Sequence, residues 1–362
     1  MPTNLRLAIS GLGLIGQRHA DAIDAVAGAA LVAVADPGKE GRREATRRGV
    51  PCYNSFEEML TSAELDGVIL ATPTLLHIEQ AQLCLRHGLP MLIEKPISTK
   101  ADEAAPLVIA AMQQSVPILI GHHRRHNPLI RTAREAIDNG LIGKVRAVQA
   151  TCWFYKPDSY FDIAPWRKKL GAGPVSVNLA HDIDLLRYLC GEVTRVYAAK
   201  ASSARGFENE DLASAVLDFA GGAIGTITVS DSIASPWSWE NTSGENPVYA
   251  KTEESCYLIG GSAGSLSVPD LTCWSHEGDK AHWWHPFSTE RLEWQAADPL
   301  VKQMEHFCEV VTGRQQPLVS GVEGLSTLQV IEAIQQSAAT GQPIELMPLT
   351  EAGAEADQAV RL

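Results

Sequence analysis

Residues Leu5 to Ser10 form an apolar run that enters Gly11-Leu12-Gly13-Leu14-Ile15-Gly16 directly, and Asp36 closes the next apolar run. Strand, G-x-G-x-x-G turn, helix, strand and terminal acid, in that order, constrain the fold more than any other feature of the chain. The first glycine serves a tight turn, the second lets backbone approach a pyrophosphate, and the third lets the helix pack close to the strand. Asp36 stands about twenty residues past Gly16, where a carboxylate accepts hydrogen bonds from ribose hydroxyls. The pattern predicts a dinucleotide-binding unit with the pyrophosphate at the helix N-terminus, where free N–H groups and the helix dipole favour an anion. Asp36 would repel the extra phosphate of NADP, and Pro37-Gly38 follows it rather than an arginine, so NAD is expected over NADP. Lys39, Arg42 and Arg43 are the nearby cations that could soften this preference.

Up to residue 125 the apolar runs alternate between strand-like and helix-like. Strands are expected at 5–10, 31–35, 68–71, 91–94 and 116–120, and helices at 14–27, 39–48, 56–61, 75–87 and 102–113. Such alternation implies a doubly wound parallel sheet with helices on both faces and ligands at the carboxyl ends of its strands. Three of those ends carry chemistry-bearing residues. They are Ala71-Thr72-Pro73 ahead of His77, Glu94-Lys95-Pro96, and Gly121-His122-His123-Arg124-Arg125.

Past residue 125 a helix at 128–139 gives way to strand-like runs at 144–155, 193–201, 212–219, 223–230, 255–259, 264–268 and 271–275. Strands with few helices between them predict an α+β domain built on a large, open, mostly antiparallel sheet. The tail returns to helix at 299–312 and 322–340. The division expected is therefore 1–125 for the dinucleotide domain and 126–362 for a substrate and oligomerisation domain, with the last helices free to pack back toward the first.

The chain has 362 residues, more than one core usually organises. A net charge of −13 disfavours nucleic acid or an anionic membrane as partner. No apolar run approaches a membrane span and no leader pattern opens the chain, so a cytoplasmic enzyme is expected. Its seven cysteines are odd in number and include no C-x-x-C pair, so they read as core residues, not as disulfides or a zinc site.

Several of these segments together resemble the Gfo/Idh/MocA family, which contains glucose-fructose oxidoreductase and inositol dehydrogenase. They are Gly11 to Gly16, Ala71-Thr72-Pro73 with His77, Glu94-Lys95-Pro96, Trp166-Arg167 leading to Gly171-Ala172-Gly173-Pro174 and His181-Asp182-Ile183-Asp184, and the run from Ser320 to Ala339. The resemblance implies a Rossmann domain joined to an α/β domain whose sheet faces it across a cleft, NAD or NADP as cofactor, and hydride transfer at a secondary alcohol of a sugar, cyclitol or related polyol. It also implies Lys95 beside the nicotinamide and His181 as proton donor or acceptor. A homodimer or homotetramer through the C-terminal sheet is the usual arrangement in that family.

The chemistry gives Lys95 and His181 the same roles, because oxidising an alcohol needs a base for the hydroxyl proton while a hydride leaves for the nicotinamide. If 174–190 is one helix, Val175, Leu179, Ile183, Leu186 and Cys190 form an apolar stripe. His181 then lies away from it, with Val177, Asn178, Asp184 and Tyr188 on its side. A histidine satisfied within the core is the competing reading. Many relatives carry an aspartate four residues before this histidine, and here that position is Val177; Asn178 can hydrogen-bond but cannot take a proton.

Lys156, Tyr160 and the cluster His122-His123-Arg124-Arg125-His126 are candidates to compensate. Cofactor contacts are expected from Gly11, Gly13, Leu14, Ile15, Gly16, Asp36, Ala71, Thr72, Pro73, His77, Glu94, Lys95, Trp166 and Arg167. Substrate contacts are expected from His123, Arg124, Lys156, Tyr160, Asn178 and His181. Concentrated positive charge would suit a carboxylate or a densely hydroxylated ring, while ordinary ion pairs for Arg124 and Arg125 are the alternative. His282-Trp283-Trp284-His285 has no third ligand nearby, so no metal is expected. Trp283, Trp284 and Trp294 are candidates to stack on a sugar or a second subunit. Two other functions stay open: the resemblance also implies a glycosidase that keeps its NAD, a branch of the same family, and the dinucleotide motif alone would suit a non-catalytic NAD-binding sensor.

Overall fold

The structure, a computed structural model, describes residues 4–276, 278 and 281–347. Its contacts divide the chain into two compact units. Among the described residues, one comprises 4–126 together with Ala297–Leu328, and the other comprises Asn127–Ala296 and 329–347.

The first unit is built on six strands, β1 (Leu5–Ser10), β2 (Ala29–Ala35), β3 (Cys52–Tyr53), β4 (Gly67–Leu70), β5 (Met91–Ile93) and β6 (Ile118–Ile120). They pair in parallel in the order β3-β2-β1-β4-β5-β6. In β4, β5 and β6 every residue is buried, as in strands covered on both faces. Strand order reverses beside β1, so the crevice at the ends of β1 and β4 is where this topology binds ligands. Of the expected helices, that at 75–87 begins as a 3-10 turn, Thr74–Leu76, and continues as α-helix His77–Arg86. β3 was not predicted, because two residues are too few to show a period.

Helix Pro299–Val311 places Leu300, Met304, Phe307 and Cys308 in the first unit's core, although it follows the second unit in sequence. Helix Gly321–Thr340 contributes Val322, Leu325 and Leu328 to the first core, and Val330, Ile331 and Ile334 to the second.

The second unit holds a nine-stranded sheet made of β7 (Val145–Trp153), β8 (Val193–Ser202), β9 (Glu210–Phe219), β10 (Ile224–Ser230), β11 (Tyr257–Gly261), β12 (Gly264–Val268), β13 (Thr272–Ser275), β14 (Ser288–Arg291) and β15 (Ile344–Glu345). The order is β14-β13-β12-β11-β7-β10-β9-β8-β15, antiparallel except for β7 beside β10. Side chains alternate. Val148, Ala150, Val196, Leu217, Ile227 and Ile259 join a core with helices Pro128–Asp138 and Leu179–Cys190, whereas Tyr197, Val216, Ile224, Leu258 and Trp274 are exposed on the other face.

The helix expected over 174–190 is broken. It runs as Pro174–Val177 and Leu179–Cys190, separated at Asn178 (φ −97°, ψ −50°). The predicted stripe of Val175, Leu179, Ile183, Leu186 and Cys190 is buried. On the other side His181 and Asp184 are buried while Val177, Asn178 and Tyr188 are half-buried; Asp182, also enclosed, accepts a hydrogen bond from the Tyr257 hydroxyl. Trp294, expected as a stacking surface, instead packs against the second core. Among the described residues, no helix is long and apolar enough to cross a membrane. All seven cysteines are free; six are buried and Cys52 is half-buried.

Candidate functional site

Two of the three motif glycines are required by the protein itself. Gly11 has φ +88°, and a Cβ there would lie 2.7 Å from the Ala71 carbonyl oxygen; one on Gly16 would overlap the Gly11 carbonyl oxygen. Gly13 differs. Its backbone (φ −71°, ψ −164°) suits any residue, and nothing lies within 4 Å of where its Cβ would be. The chain leaves this side open above the start of helix Leu14–Ala25, which has no side-chain cap and no acidic residue in its first turn. Leu14 is 90% exposed there. Unpaired N–H groups over open space, with no side chain in the way, fit a pyrophosphate.

Asp36, at the end of β2, is held in place. Its Oδ2 accepts the Leu12 N–H (2.8 Å) and its Oδ1 the Gly38 N–H (2.7 Å). A Cβ on Gly41 would overlap this carboxylate. Fixed next to the glycine turn, it can accept hydroxyl donors with its remaining lone pairs. Arg42 reaches the Pro37 carbonyl and Arg43 pairs with Glu40.

At the ends of β4 and β5, Ala71 is buried and Thr72 half-buried, and the Thr72 hydroxyl donates to Gln80 Oε1 (2.9 Å). Pro73 is exposed. His77 is buried with Nε2 2.9 Å from the Thr72 carbonyl and Nδ1 3.0 Å from the Pro96 carbonyl, so its ring spans the two loops. Burial lowers its pKa, against the pull of the two carbonyls. Lys95 is half-buried, while the side chain of Glu94 turns inward to His19. After β6, His123 is half-buried and Arg124 and Arg125 are buried; Arg125 Nη2 pairs with Glu323 at 2.7 Å. The ion-pair alternative thus describes Arg125. Burial, then the neighbouring His306, His123 and Arg125, hold the His126 pKa well below the ordinary imidazole range.

The second unit gathers three of the substrate candidates. Lys156 Nζ, on a side chain only 7% exposed, donates to Asn178 Oδ1 (2.7 Å) and lies 5.2 Å from the centre of the Tyr160 ring. Asp231 Oδ2 is 3.7 Å from Nζ, and its Oδ1 accepts from Arg205 Nη1 (2.9 Å). Burial lowers the Lys156 pKa against the pull of Asp231, and burial raises that of Asp231 against the pull of Lys156 and Arg205. Arg167 lies over the Tyr160 ring at 4.0 Å and donates to the Tyr160 carbonyl (2.7 Å); Trp166 beside it is exposed. His181 is buried in the first turn of Leu179–Cys190. His282 and His285 are exposed, and the described residues contain no group of three His, Cys, Asp or Glu able to hold a metal.

Sequence reasoning missed His19, Asp231 and Arg205. His19 had a signal, since it follows Gly16 by one helical turn on the buried side of the same helix. The partnership of Asp231 with Lys156 depends on strand pairing across long separations and has no local signature.

Residues 5–122 match the family described as oxidoreductase, NAD-binding Rossmann fold, and residues 130–267 match the GFO/IDH/MocA C-terminal domain. The chain is 27% identical over 355 residues to scyllo-inositol 2-dehydrogenase (NAD(+)) of Bacillus subtilis strain 168, covering 96% of this chain and 97% of that one. It is 29% identical over 231 residues to the rhizopine catabolism protein MocA of Rhizobium meliloti, covering 63% and 71%. Among solved structures, the WlbA dehydrogenase from Bordetella pertussis, in complex with NADH and UDP-GlcNAcA, superposes with a TM-score of 0.75 at 26% identity, covering 96% of this chain and 100% of that one. The two family matches account for most of the chain, and the six-stranded order, the glycine turn and the placed acid agree with them. The chain is an NAD-binding oxidoreductase of the GFO/IDH/MocA family.

Proposed function

We propose that the enzyme oxidises a secondary alcohol of a sugar, cyclitol, sugar acid or related cyclic polyol to a ketone, or runs the reverse reduction, with Lys95 and His181 as its acid/base groups. The observation that carries this reading is the setting of Lys95 at the carboxyl end of β5, in the same parallel sheet whose switch point carries the glycine turn and Asp36. NAD, when bound, supplies the hydride acceptor. Gly11, Gly13, Leu14, Ile15 and Gly16 would receive the pyrophosphate, and Asp36 the adenosine ribose. Ala71, Thr72, Pro73, His77 and Lys95 would form the nicotinamide end, while the Glu94 side chain turns inward to His19; Trp166 and Arg167 are proposed as further cofactor contacts. His123, Arg124, Lys156, Tyr160, Asn178 and His181 would serve the substrate. With Val177 at the place of the relatives' aspartate, the Lys156–Asn178 pair is the polar device this chain offers instead. The relatives named above, one an inositol dehydrogenase and another solved with a sugar nucleotide, support this substrate range.

A panel of cyclitols, aldoses, sugar acids and cyclic hydroxy acids offered with NAD tests it, with NADH formation as readout. Turnover on at least one polyol is expected. Release of reducing sugar at constant NADH would assign a glycosidase instead, and NAD binding without turnover on any member would assign a sensor.

Asp36→Ala should lower the ratio of kcat/KM for NAD over NADP by about tenfold or more, the worth of one or two hydrogen bonds to a charged acceptor. The ratio is the measurement to use, because the variant also frees the Leu12 N–H; an unchanged ratio rejects the ribose role.

The uncharged outer row of the large sheet, Tyr197, Val216, Ile224, Leu258 and Trp274, supports a homodimer or homotetramer through that face. Sedimentation equilibrium finding only monomer at micromolar concentration would reject this.

A further inference from the structure

His19 lies on helix Leu14–Ala25, three residues past Gly16, and is fully buried. Its Nε2 is 2.7 Å from Glu94 Oε1, and Glu94 is almost as deeply enclosed. A buried carboxylate needs donors for its lone pairs. Here Oε1 meets the ring of His19, and Oε2 accepts the backbone N–H of Lys95 at 3.1 Å. Among the described residues His19 Nδ1 has no hydrogen-bond partner. The tautomer with its proton on Nε2 is therefore the one that leaves no buried donor unsatisfied. Burial alone would raise the Glu94 pKa, yet the bond from His19 holds it below the ordinary carboxylate value, so the group stays ionised.

The fold also reserves space for this carboxylate. A Cβ on Gly121 would come 2.9 Å from Glu94 Cδ and 3.0 Å from its Oε1, and Gly121 has no left-handed backbone to explain a glycine otherwise. Strand-end bonds fix the surroundings, with Glu94 N donating to the Leu70 carbonyl (2.9 Å) and Gly121 N to the Ile93 carbonyl (2.7 Å). On the far side of Lys95, the Pro96 carbonyl rests against His77.

From these contacts we propose that His19 and Glu94 are a positioning pair that locks the Lys95 turn to the helix opening the dinucleotide loop. The connection runs from the helix through the imidazole and the carboxylate to the Lys95 backbone, so the helix that receives the pyrophosphate also sets where the lysine stands. Glu94 is then a support beneath the turn and not a cofactor contact. This rests on the reading of Lys95 as an acid/base group.

The test compares His19→Leu, Glu94→Gln and Gly121→Ala with the wild-type chain. Gly121→Ala removes no chemical group and presses its methyl on the Glu94 carboxylate and Cα, so it stays informative where His19→Leu fails to fold. The first readout needs neither substrate nor cofactor: competitive acetylation of Lys95 as a function of pH, followed by mass spectrometry. Removing the adjacent negative charge in Glu94→Gln should move the labelling midpoint down by about half a pH unit or more, because the carboxylate favours the charged amine. The second is the split between kcat and NAD affinity, with kcat falling by about tenfold or more from a displaced lysine while the NAD Kd changes by no more than about threefold. Wild-type labelling of Lys95 in all three variants overturns the proposal, as does a loss of NAD affinity in Glu94→Gln that matches the loss in kcat. Full turnover by Lys95→Ala would instead overturn the catalytic reading and leave the labelling result standing.

Discussion

Lys95→Ala is expected to lower kcat by about 10²- to 10⁴-fold, the usual worth of a positioned proton-transfer group, while NAD binds with nearly unchanged affinity. The separation follows from where the residue sits. Its backbone belongs to the turn after β5, held by Glu94, whereas the groups that fit the pyrophosphate and ribose lie on the β1 turn and at the end of β2. On the proposed reading, removing the Lys95 amine takes away the proton acceptor and leaves those proposed anchors intact. Oxidation uses the uncharged amine, so wild-type kcat/KM should rise with pH through the lysine's titration, and this limb should vanish in the variant. His181→Asn should also be slow, and the double variant little slower than the worse single one, because groups that share a proton transfer do not contribute independently. NADH absorbance gives kcat, and calorimetric titration gives NAD affinity. Normal turnover in Lys95→Ala would end the proposal that this amine does the chemistry.

Much of the first unit was legible because its signals are local. β4, β5 and β6 are short apolar runs buried throughout, and the helices between them carry their own stripes. The second sheet showed its period of two in β7, β9 and β10, where one face is core and the other is exposed. What escaped lacked either length or locality. β3 and β15 have two residues each and exist only by pairing with a neighbour. The break at Asn178 leaves no breaker residue in the sequence; its amide accepts the buried Lys156 amine, a tertiary cause that helix propensity does not register. The return of Pro299–Val311 to the first core, which the sequence leaves open, is set by Phe307 and Met304 packing there and not by position in the chain.

The candidate site divides in the same way. Motif spacing pointed to the glycine turn and Asp36, because each part's expected role is tied to its place along a βαβ unit, whereas Lys95 is singled out by the resemblance of Glu94-Lys95-Pro96. The support beneath Lys95 joins two residues 75 apart in sequence, and only the strand order brings them together. The basic cluster after β6 shows the same limit: charge counted along the chain does not register that Arg125 is paired with Glu323 or that burial lowers the His126 pKa.

Two glycines of the same turn, Gly16 and Gly13, allow the sharpest separation of fold from function. Gly16→Ala should destabilise the apo protein by about 3 kcal/mol, the upper range of overpacking, because its methyl would overlap the Gly11 carbonyl oxygen, a backbone atom that cannot swing aside. That corresponds to a fall in Tm of about 6–12 °C. Gly13→Ala should leave the apo Tm nearly unchanged. Its backbone already suits alanine and its Cβ meets nothing, and the small loss at a helix N-cap offsets the small gain from a stiffer unfolded chain. The same methyl would stand in the space above the uncapped helix start, so NAD affinity should drop by about 1–3 kcal/mol, roughly five- to 150-fold. Thermal unfolding with and without NAD reads both effects in one experiment, since a ligand raises Tm only to the extent that it binds the folded state. Wild-type stabilisation of Gly13→Ala by NAD would remove the pyrophosphate from this helix, and with it the reason for a glycine where the protein's own packing asks for none.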